Sequence, residues 1–286
     1  MERIRRPEEM QAWAEAQRRA GRRLGLVPTM GFLHEGHLSL VRIAKEKGCD
    51  AVSATIFVNP AQFGPGEDFE KYPRDEARDL ALLAREGVDV VFLPGPAEMY
   101  PEGYQTYVEV AGVSQGLCGA SRPGHFRGVA TVVAKLFLIC KPHVAVFGEK
   151  DYQQLAVIRA MARDLNFDVE ITGAPIVREP DGLAMSSRNV YLKGADRAAA
   201  LCLSKGLCRA REMFAAGARE PSKLAGAVRE TIAAEPRATL DYVEARDPDT
   251  LAALKGPSDR MTILVAARVG QARLIDNMTL TGGTTS

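Results

Sequence analysis

Residues 22–59 read "RRLGLVPTMGFLHEGHLSLVRIAKEKGCDAVSATIFVN", and their apolar spacing changes twice. "RRLGLVP" has the compact apolar run of a strand. "HLSLVRIAKEKG" then places Leu38, Val41 and Ala44 on one helical face, with Gly48 as the stop. "AVSATIFVN" is almost continuously apolar, as a strand covered on both faces must be. A strand, a helix and a buried strand in succession predict a parallel crossover, and the pattern repeats downstream. "RDEARDLALLAREG" reads as a helix before the strand "VDVVFLPG". The helices "GVATVVAKLFLICKP" and "DYQQLAVIRAMARDLNF" flank the strand "HVAVFGE" and lead into the strand "VEITGAP".

Right-handed crossovers turn such alternation into an α/β fold, a Rossmann-like doubly wound parallel sheet that binds ligands beyond the carboxyl ends of its strands. The texture changes near residue 178. "REPDGLAMSSRNVYL" is a turn-rich connection, followed by Ala-rich helical stretches at 195–217 and 221–234 and by the strand-like runs "LDYVEAR", "MTILVAARV" and "ARLIDNM". The expected division is a larger domain over residues 1–177 and a second, smaller α+β domain over 178–286.

Composition narrows the function classes. The chain has 286 residues, and its 37 basic side chains balance 36 acidic ones, so net charge points to neither nucleic acid nor an anionic membrane as partner. Any attraction for phosphate must be local. The five cysteines lack the C-x-x-C spacing of zinc or dithiol sites, which suits a reducing cytoplasm. The amino-terminal "MERIRRPEEMQAWAEAQRRAG" is charged throughout and carries no secretory signal pattern, and no run has the length of a membrane span. The polar "TGGTTS" at the end is expected to fray.

The segments able to carry chemistry sit at strand-to-helix junctions. In "TMGFLHEGHLSL", Gly31 lets the chain turn out of the strand. His34 and His37 then fall at the amino end of the next helix, where N–H groups and the helix dipole favour anions. The spacing is one residue short of the H-E-x-x-H zinc pattern, and no third ligand cluster accompanies it. "VFGEKDYQQL" repeats the junction, with Gly148 for close backbone approach, Lys150 as a mobile cation, and the neutral amides Gln153 and Gln154 one turn in. "DGLAMSSRN" presents two hydroxyls and a guanidinium in succession; it is either a capped surface turn or a phosphate grip. "FVNPAQFGPGEDFEKYPR" is a long Pro- and Gly-containing loop carrying Asn59 and Gln62, either a flexible excursion or a lid. "SRPGHFRGVATVVAKLF" adds His125 and Arg127 at another helix start, where one of the two can serve simply as a cap.

Taken together and in chain order, these five blocks resemble the pantothenate synthetase family of ATP-dependent ligases, within the wider nucleotidyltransferase superfamily that shares the H-x-G-H element and a KMSKS-like loop, here "MSSRN". The resemblance implies roles by position. Met30, Gly31, Phe32, Leu33, His34, Glu35, Gly36 and His37 would bind ATP, with His34 and His37 bracketing the reacting phosphate. Gly148, Glu149, Lys150 and Asp151 would contact the nucleotide, Asp151 at the ribose, and Val177 would touch adenine. Met185, Ser186, Ser187 and Arg188 would close on the triphosphate. Gln62 and Gln154 would hold pantoate, Gln62 also lying near β-alanine. Mg²⁺ would accompany ATP, with its ligands unassigned, and a homodimer is implied.

The chemistry makes matching demands. A carboxylate is a poor acylating agent until its oxygen attacks the α-phosphorus of ATP and expels pyrophosphate. Donors fixed in advance, here His34, His37, Lys150, Ser186, Ser187 and Arg188, stabilise the charge that develops. The alternative is a nucleotidyltransferase acting on a phosphorylated acceptor, and Gln62 and Gln154 speak against it because a phosphate would call for cations. A non-catalytic ATP sensor is the remaining reading, and the full set of donors speaks against that.

Overall fold

A computed structural model describes residues 1–282. The elements follow in chain order: β1 (Glu2–Ile4), α1 (Pro7–Arg19), β2 (Leu24–Thr29), α2 (Glu35–Glu46), β3 (Ala51–Ile56), α3 (Glu76–Arg85), β4 (Val90–Phe92), α4 (Pro96–Met99), α5 (Leu117–Ser121), α6 (His125–Cys140), β5 (Val144–Gly148), α7 (Tyr152–Asp164) and β6 (Glu170–Ala174). Then come α8 (Ala195–Ala199), α9 (Cys202–Ala215), α10 (Pro221–Ala233), β7 (Ala238–Arg246), β8 (Arg260–Val269) and β9 (Ala272–Thr281).

The six-stranded sheet runs β1-β4-β3-β2-β5-β6, with every pairing parallel. After β2 the chain winds outward through β3 and β4, then returns to place β5 on the other side of β2. The winding direction therefore reverses between β2 and β5, and their carboxyl ends flank the crevice in which such sheets bind ligands. The buried strands read as continuous apolar runs because helices cover both faces: in β3, Ala51 to Thr55 are all buried. The core includes Val27, Leu33, Val41, Ala54, Leu80, Leu83 and Val146.

The charged amino terminus holds more order than its composition suggests. β1 adds an edge strand to β4, and α1 buries Met10 and Ala14. Pro7 at the first turn, Glu8 and Glu9 beside it, and Arg18 and Arg19 in the last turn are helix signals; the density of charge obscures them.

By compactness the chain divides into two units. One comprises Met1–Ser114, Arg122–Glu149 and Val157–Pro175; the other comprises Gln115–Ser121, Lys150–Ala156 and Ile176–Ser286. A single cut at 177/178 thus misses two short pieces, and hydrogen bonding shows why they belong with the second unit. Cys118 Sγ lies 3.2 Å from the Tyr242 hydroxyl, and Asn277 Nδ2 donates to the Lys150 carbonyl at 3.0 Å. The second unit has the antiparallel sheet β7-β8-β9 with α9 and α10 packed on it around Leu203, Leu207, Val228 and Ile263. The helical stretch expected over 195–217 is two helices, separated at Ala200 and Leu201. Arg197 on the first is tied to Glu179 and Asp181, each at 2.7 Å. Of the "TGGTTS" expected to fray, Thr281 pairs with Arg260 in the sheet, and residues 283–286 lie outside the described ones. Among the described residues no helix is long and apolar enough to cross a membrane.

One histidine contributes to stability away from any junction. His143 Nδ1 accepts the Leu24 amide at 2.9 Å just before β5. Burial, then Arg18 and Arg23, hold its imidazole below the usual value. Above the ordinary imidazole pKa of about 6.5 both folded and unfolded chains carry a neutral ring; as the pH falls the unfolded chain takes up the proton first, so acid favours unfolding. The thermal midpoint is expected to drop between about pH 7.5 and about pH 5.5. His143→Asn, which keeps an acceptor near the Nδ1 position, is expected to shrink that drop. Equal drops in the two proteins would show that His143 is not responsible.

Candidate active site

The segment leaving β2 is folded by two sets of contacts around a pair of positive-φ residues. Thr29 Oγ1 donates to the Thr55 carbonyl at 2.6 Å and accepts the Gly31 amide at 3.1 Å. Gly31 and Phe32 both take positive φ, +81° and +50°. The amides of Phe32 and Leu33 then donate to the two Asp79 carboxylate oxygens at 2.6 and 2.7 Å. This double turn delivers His34 in an extended conformation as the residue capping α2, with His37 one turn in. The rings stand 4.0 Å apart between centroids, tilted by 35°. His37 Nδ1 accepts the His34 amide at 3.3 Å, a contact satisfied by the ring form that carries its proton on Nε2. His37 is thereby prepared as an Nε2–H donor at a helix amino terminus, where the dipole adds to the attraction for anions.

The other members of the block play different parts. Leu33 is fully buried in the sheet core. Glu35 directs its carboxylate to Arg42, which also binds Glu86, so its side chain is engaged on the helix surface. Both side chains are thus engaged within the protein.

Met30 and Gln62 are brought together: Gln62 Nε2 lies 3.2 Å from Met30 Sδ. The 60s loop is ordered around this point. Pro60–Gln62 forms a 3₁₀ turn capped by Asn59, whose Oδ1 accepts the Ala61 amide at 3.3 Å. Asn59 is 1% exposed, and its Nδ2 donates to Gln62 Oε1 at 3.0 Å and to the Gly128 carbonyl at 3.1 Å. The Tyr100 hydroxyl donates to Asn59 Oδ1 at 2.7 Å, and burial pushes this phenol's pKa up, keeping the donor protonated. Beyond the turn, Phe63 packs edge-on against Phe69 and Tyr72, and both Glu67 carboxylate oxygens accept from Arg122 at 2.7 Å. His125 does more than begin a helix: its Nδ1 donates to the Gln62 carbonyl at 2.8 Å while Arg122 donates to its Nε2 at 3.0 Å. Arg127 lies over the Tyr107 ring, 3.9 Å from the centroid. The loop is thus anchored by side-chain contacts at several points.

At the end of β5, no atom outside residues 147–149 lies within 4 Å of where a Cβ on Gly148 would stand, so a ligand can approach that backbone. Glu149–Asp151 forms a 3₁₀ turn leading into α7. The two neighbouring glutamines have different duties. Gln153 is buried and accepts the Cys118 amide at 3.0 Å while donating to the Gln115 and Gly116 carbonyls at 3.2 Å, a structural clamp. Gln154 is half-buried.

In the second unit, the Met185 amide donates to the Val177 carbonyl at 3.0 Å, closing the loop between them. Ser186 Oγ accepts the Arg188 amide at 3.2 Å and caps the 3₁₀ segment Ser187–Tyr191, and Ser187 is buried. The capped-turn and phosphate-grip readings of this loop are compatible, since the cap orients successive N–H and O–H groups. Arg178 holds Asp276 with bonds of 2.7 and 2.9 Å, and Asn189 donates to Glu179 at 2.7 Å, so the loop has a rigid base. Lys150 and Ser186 border one narrow cavity with Asn189 and Asp276.

Of the residues that anchor these segments, Asn59 was named in the sequence without a role, and Tyr100, Asp79 and Gly128 were not singled out there. An Asn-Pro pair is a turn signal that marks Asn59. The other three have no local signature, because each acts on a segment far away in sequence.

A strand-order reversal flanked by two glycine-bearing junctions, one ending in paired imidazoles, describes a nucleotide site without naming a reaction. The family model for pantoate–β-alanine ligase matches residues 2–279. The chain belongs to the pantoate–β-alanine ligase family. Pantothenate synthetase from Heliobacterium modesticaldum is 57% identical over 270 residues, covering 94% of this chain and 96% of the relative. Pantothenate synthetase from Thermus thermophilus superposes with a TM-score of 0.93 at 47% identity, covering 99% of this chain and 100% of that one. Pantoate–β-alanine ligase from Francisella tularensis, whose crystal structure is a complex with β-γ ATP and β-alanine, gives a TM-score of 0.79 at 32% identity, with 97% of each chain covered. This enzyme shares their α/β architecture, the six-stranded parallel sheet and the separate three-stranded antiparallel one.

Proposed function

We propose that this enzyme makes pantothenate through a pantoyl adenylate, acting as a homodimer in the cytoplasm, with MgATP as co-substrate. The net reaction, pantoate plus β-alanine plus ATP giving pantothenate, AMP and pyrophosphate, is that of the family to which the chain belongs. The observation that carries the mechanism is the β2–α2 junction: two imidazoles at a helix amino terminus, beside the point where the sheet reverses its winding.

In the first step a pantoate carboxylate oxygen bonds to the α-phosphorus, the α–β phosphoanhydride bond breaks, and pyrophosphate leaves with its electron pair. His37, through Nε2–H, and His34 donate to the oxygens that gain charge. Lys150, Ser186, Ser187 and Arg188 supply further donors for the polyphosphate. Gln62 and Gln154 hold pantoate as neutral amides, matching a hydroxy acid better than a phosphate. In the second step the β-alanine amine attacks the activated carbonyl, sheds a proton, and AMP departs with the former carboxylate oxygen. Proximity does most of that work.

Among the described residues no group of three or more His, Cys, Asp or Glu side chains stands ready to hold a metal ion. The donors present fit an ion carried on phosphate oxygens and waters, and Mg²⁺ on ATP would offset phosphate charge.

Isotope exchange tests the scheme. Labelled pyrophosphate is expected to enter ATP only when pantoate is present and without any need for β-alanine, and ¹⁸O from the pantoate carboxylate is expected in AMP after complete turnover. Exchange that ignores pantoate, or AMP free of the label, would rule out the adenylate.

A further inference from the structure

Asp79 belongs to α3, at the end of the charged stretch "RDEARD", yet it is 1% exposed. Its two carboxylate oxygens accept the Phe32 and Leu33 amides at 2.6 and 2.7 Å, across 47 and 46 residues of chain. Those amides form the turn immediately before His34. The turn needs holding: Phe32 sits at φ +50°, a region that costs a non-glycine residue free energy. The passage is also tight, since a Cβ on Gly31 would come within 3.0 Å of both Asp79 Oδ2 and Ile56 Cγ2. Arg78, the preceding residue, places its guanidinium 5.4 Å from the centroid of the Phe32 ring. α3 is itself immobilised, because Leu80 and Leu83 lie in the same core cluster as Leu33 and Val41. Burial raises the Asp79 carboxyl pKa against the pull of the Leu33 and Phe32 amides. Removing those two bonds would leave two donors without an acceptor and the strained turn without its clamp.

We infer that Asp79 is a positioning residue for adenylate formation: it fixes the Gly31–Leu33 turn and thereby aims His34 and His37 at the reacting phosphate. The inference rests on the proposed role of the two imidazoles. Both Asp79 oxygens are taken up by main-chain amides, so it acts through the main chain it grips.

The experiment separates the two half-reactions. Asp79→Asn and Asp79→Ala are assayed for pantoate-dependent pyrophosphate exchange and for pantothenate formation from preformed pantoyl adenylate and β-alanine, with a thermal melt for each. Displacing the histidines by a fraction of an ångström to an ångström is expected to slow exchange about 10- to 100-fold. The second half-reaction should change less than about threefold, because it depends on amine proximity instead of charge development at phosphorus. Asn keeps one acceptor and is expected to fall between wild type and Ala. Unchanged exchange in both variants overturns the inference, and so does a parallel loss of both half-reactions. An Asn variant that fails to fold also overturns it, since the carboxylate would then be needed for folding rather than aiming. If wild type itself shows no pantoate-dependent exchange, the adenylate reading fails first, and the two failures are distinguished.

Discussion

Replacing His37 with alanine is expected to slow pantoate-dependent pyrophosphate exchange by about 10²- to 10³-fold, the usual loss when one preorganised donor is removed from a transition state that accumulates negative charge. The ring is committed before substrate arrives. Its Nδ1 accepts the His34 amide, which assigns Nε2–H as the donor in the proposed role, and the neighbouring imidazole lies 4.0 Å away, tilted by 35°. Alanine also removes a capping contact at the start of α2, which costs about 0.5–2 kcal/mol of helix stability, small against the total stability of a domain. The variant should therefore fold. His37→Asn retains an amide donor and should recover part of the rate. Pyrophosphate exchange and turnover of preformed pantoyl adenylate are to be measured side by side; a loss confined to the second step would contradict the role given to His37.

Gly128→Ala should be the most damaging conservative change away from the histidines. In an exposed helix interior, glycine to alanine stabilises by about 0.5–1 kcal/mol. At this point of α6 the sign inverts. A Cβ on residue 128 would stand 2.1 Å from the Ala61 carbonyl oxygen, 2.4 Å from its carbon and 2.6 Å from the Gln62 nitrogen, all backbone atoms. The 3₁₀ turn must move off the helix, and the bonds that orient Gln62 would be pulled apart, from Asn59 to the Gly128 carbonyl and from His125 to the Gln62 carbonyl. Overpacking of this kind costs about 1–3 kcal/mol or more. A clear fall in melting temperature is expected, with a rise of about tenfold or more in the pantoate concentration that half-saturates exchange, since both amide contacts of Gln62 depend on that turn. A variant with the melting temperature and pantoate dependence of wild type would show that the close contact between Ala61 and Gly128 is not needed.

Much of the fold was legible because helices and strands declare themselves in short windows. The change of period across residues 22–59 is enough to propose a parallel crossover, and the same test on later windows locates every remaining strand of the large sheet except β1. That strand has three residues and too few positions for any periodicity to register. The pairing of His34 with His37 was legible for a similar reason: a glycine after a strand and two histidines at i and i+3 place both rings at a helix start. Gln153 and Gln154 show the limit. Adjacent and chemically identical, they differ only in that one faces the backbone of residues 115–118.

What the sequence determined by itself was the alternation of elements, the junctions at which chemistry could stand and, through five blocks in order, the family. Only the tertiary structure decided that Asp79 is buried under the histidine turn, that Asn59 and His125 secure Gln62, and that Gly128 is a point of backbone contact. Periodicity is a local property, carried by residues within a turn or two of one another. The duty of a single polar side chain depends on which distant segment supplies its partner, and packing settles that only once the sheet has formed.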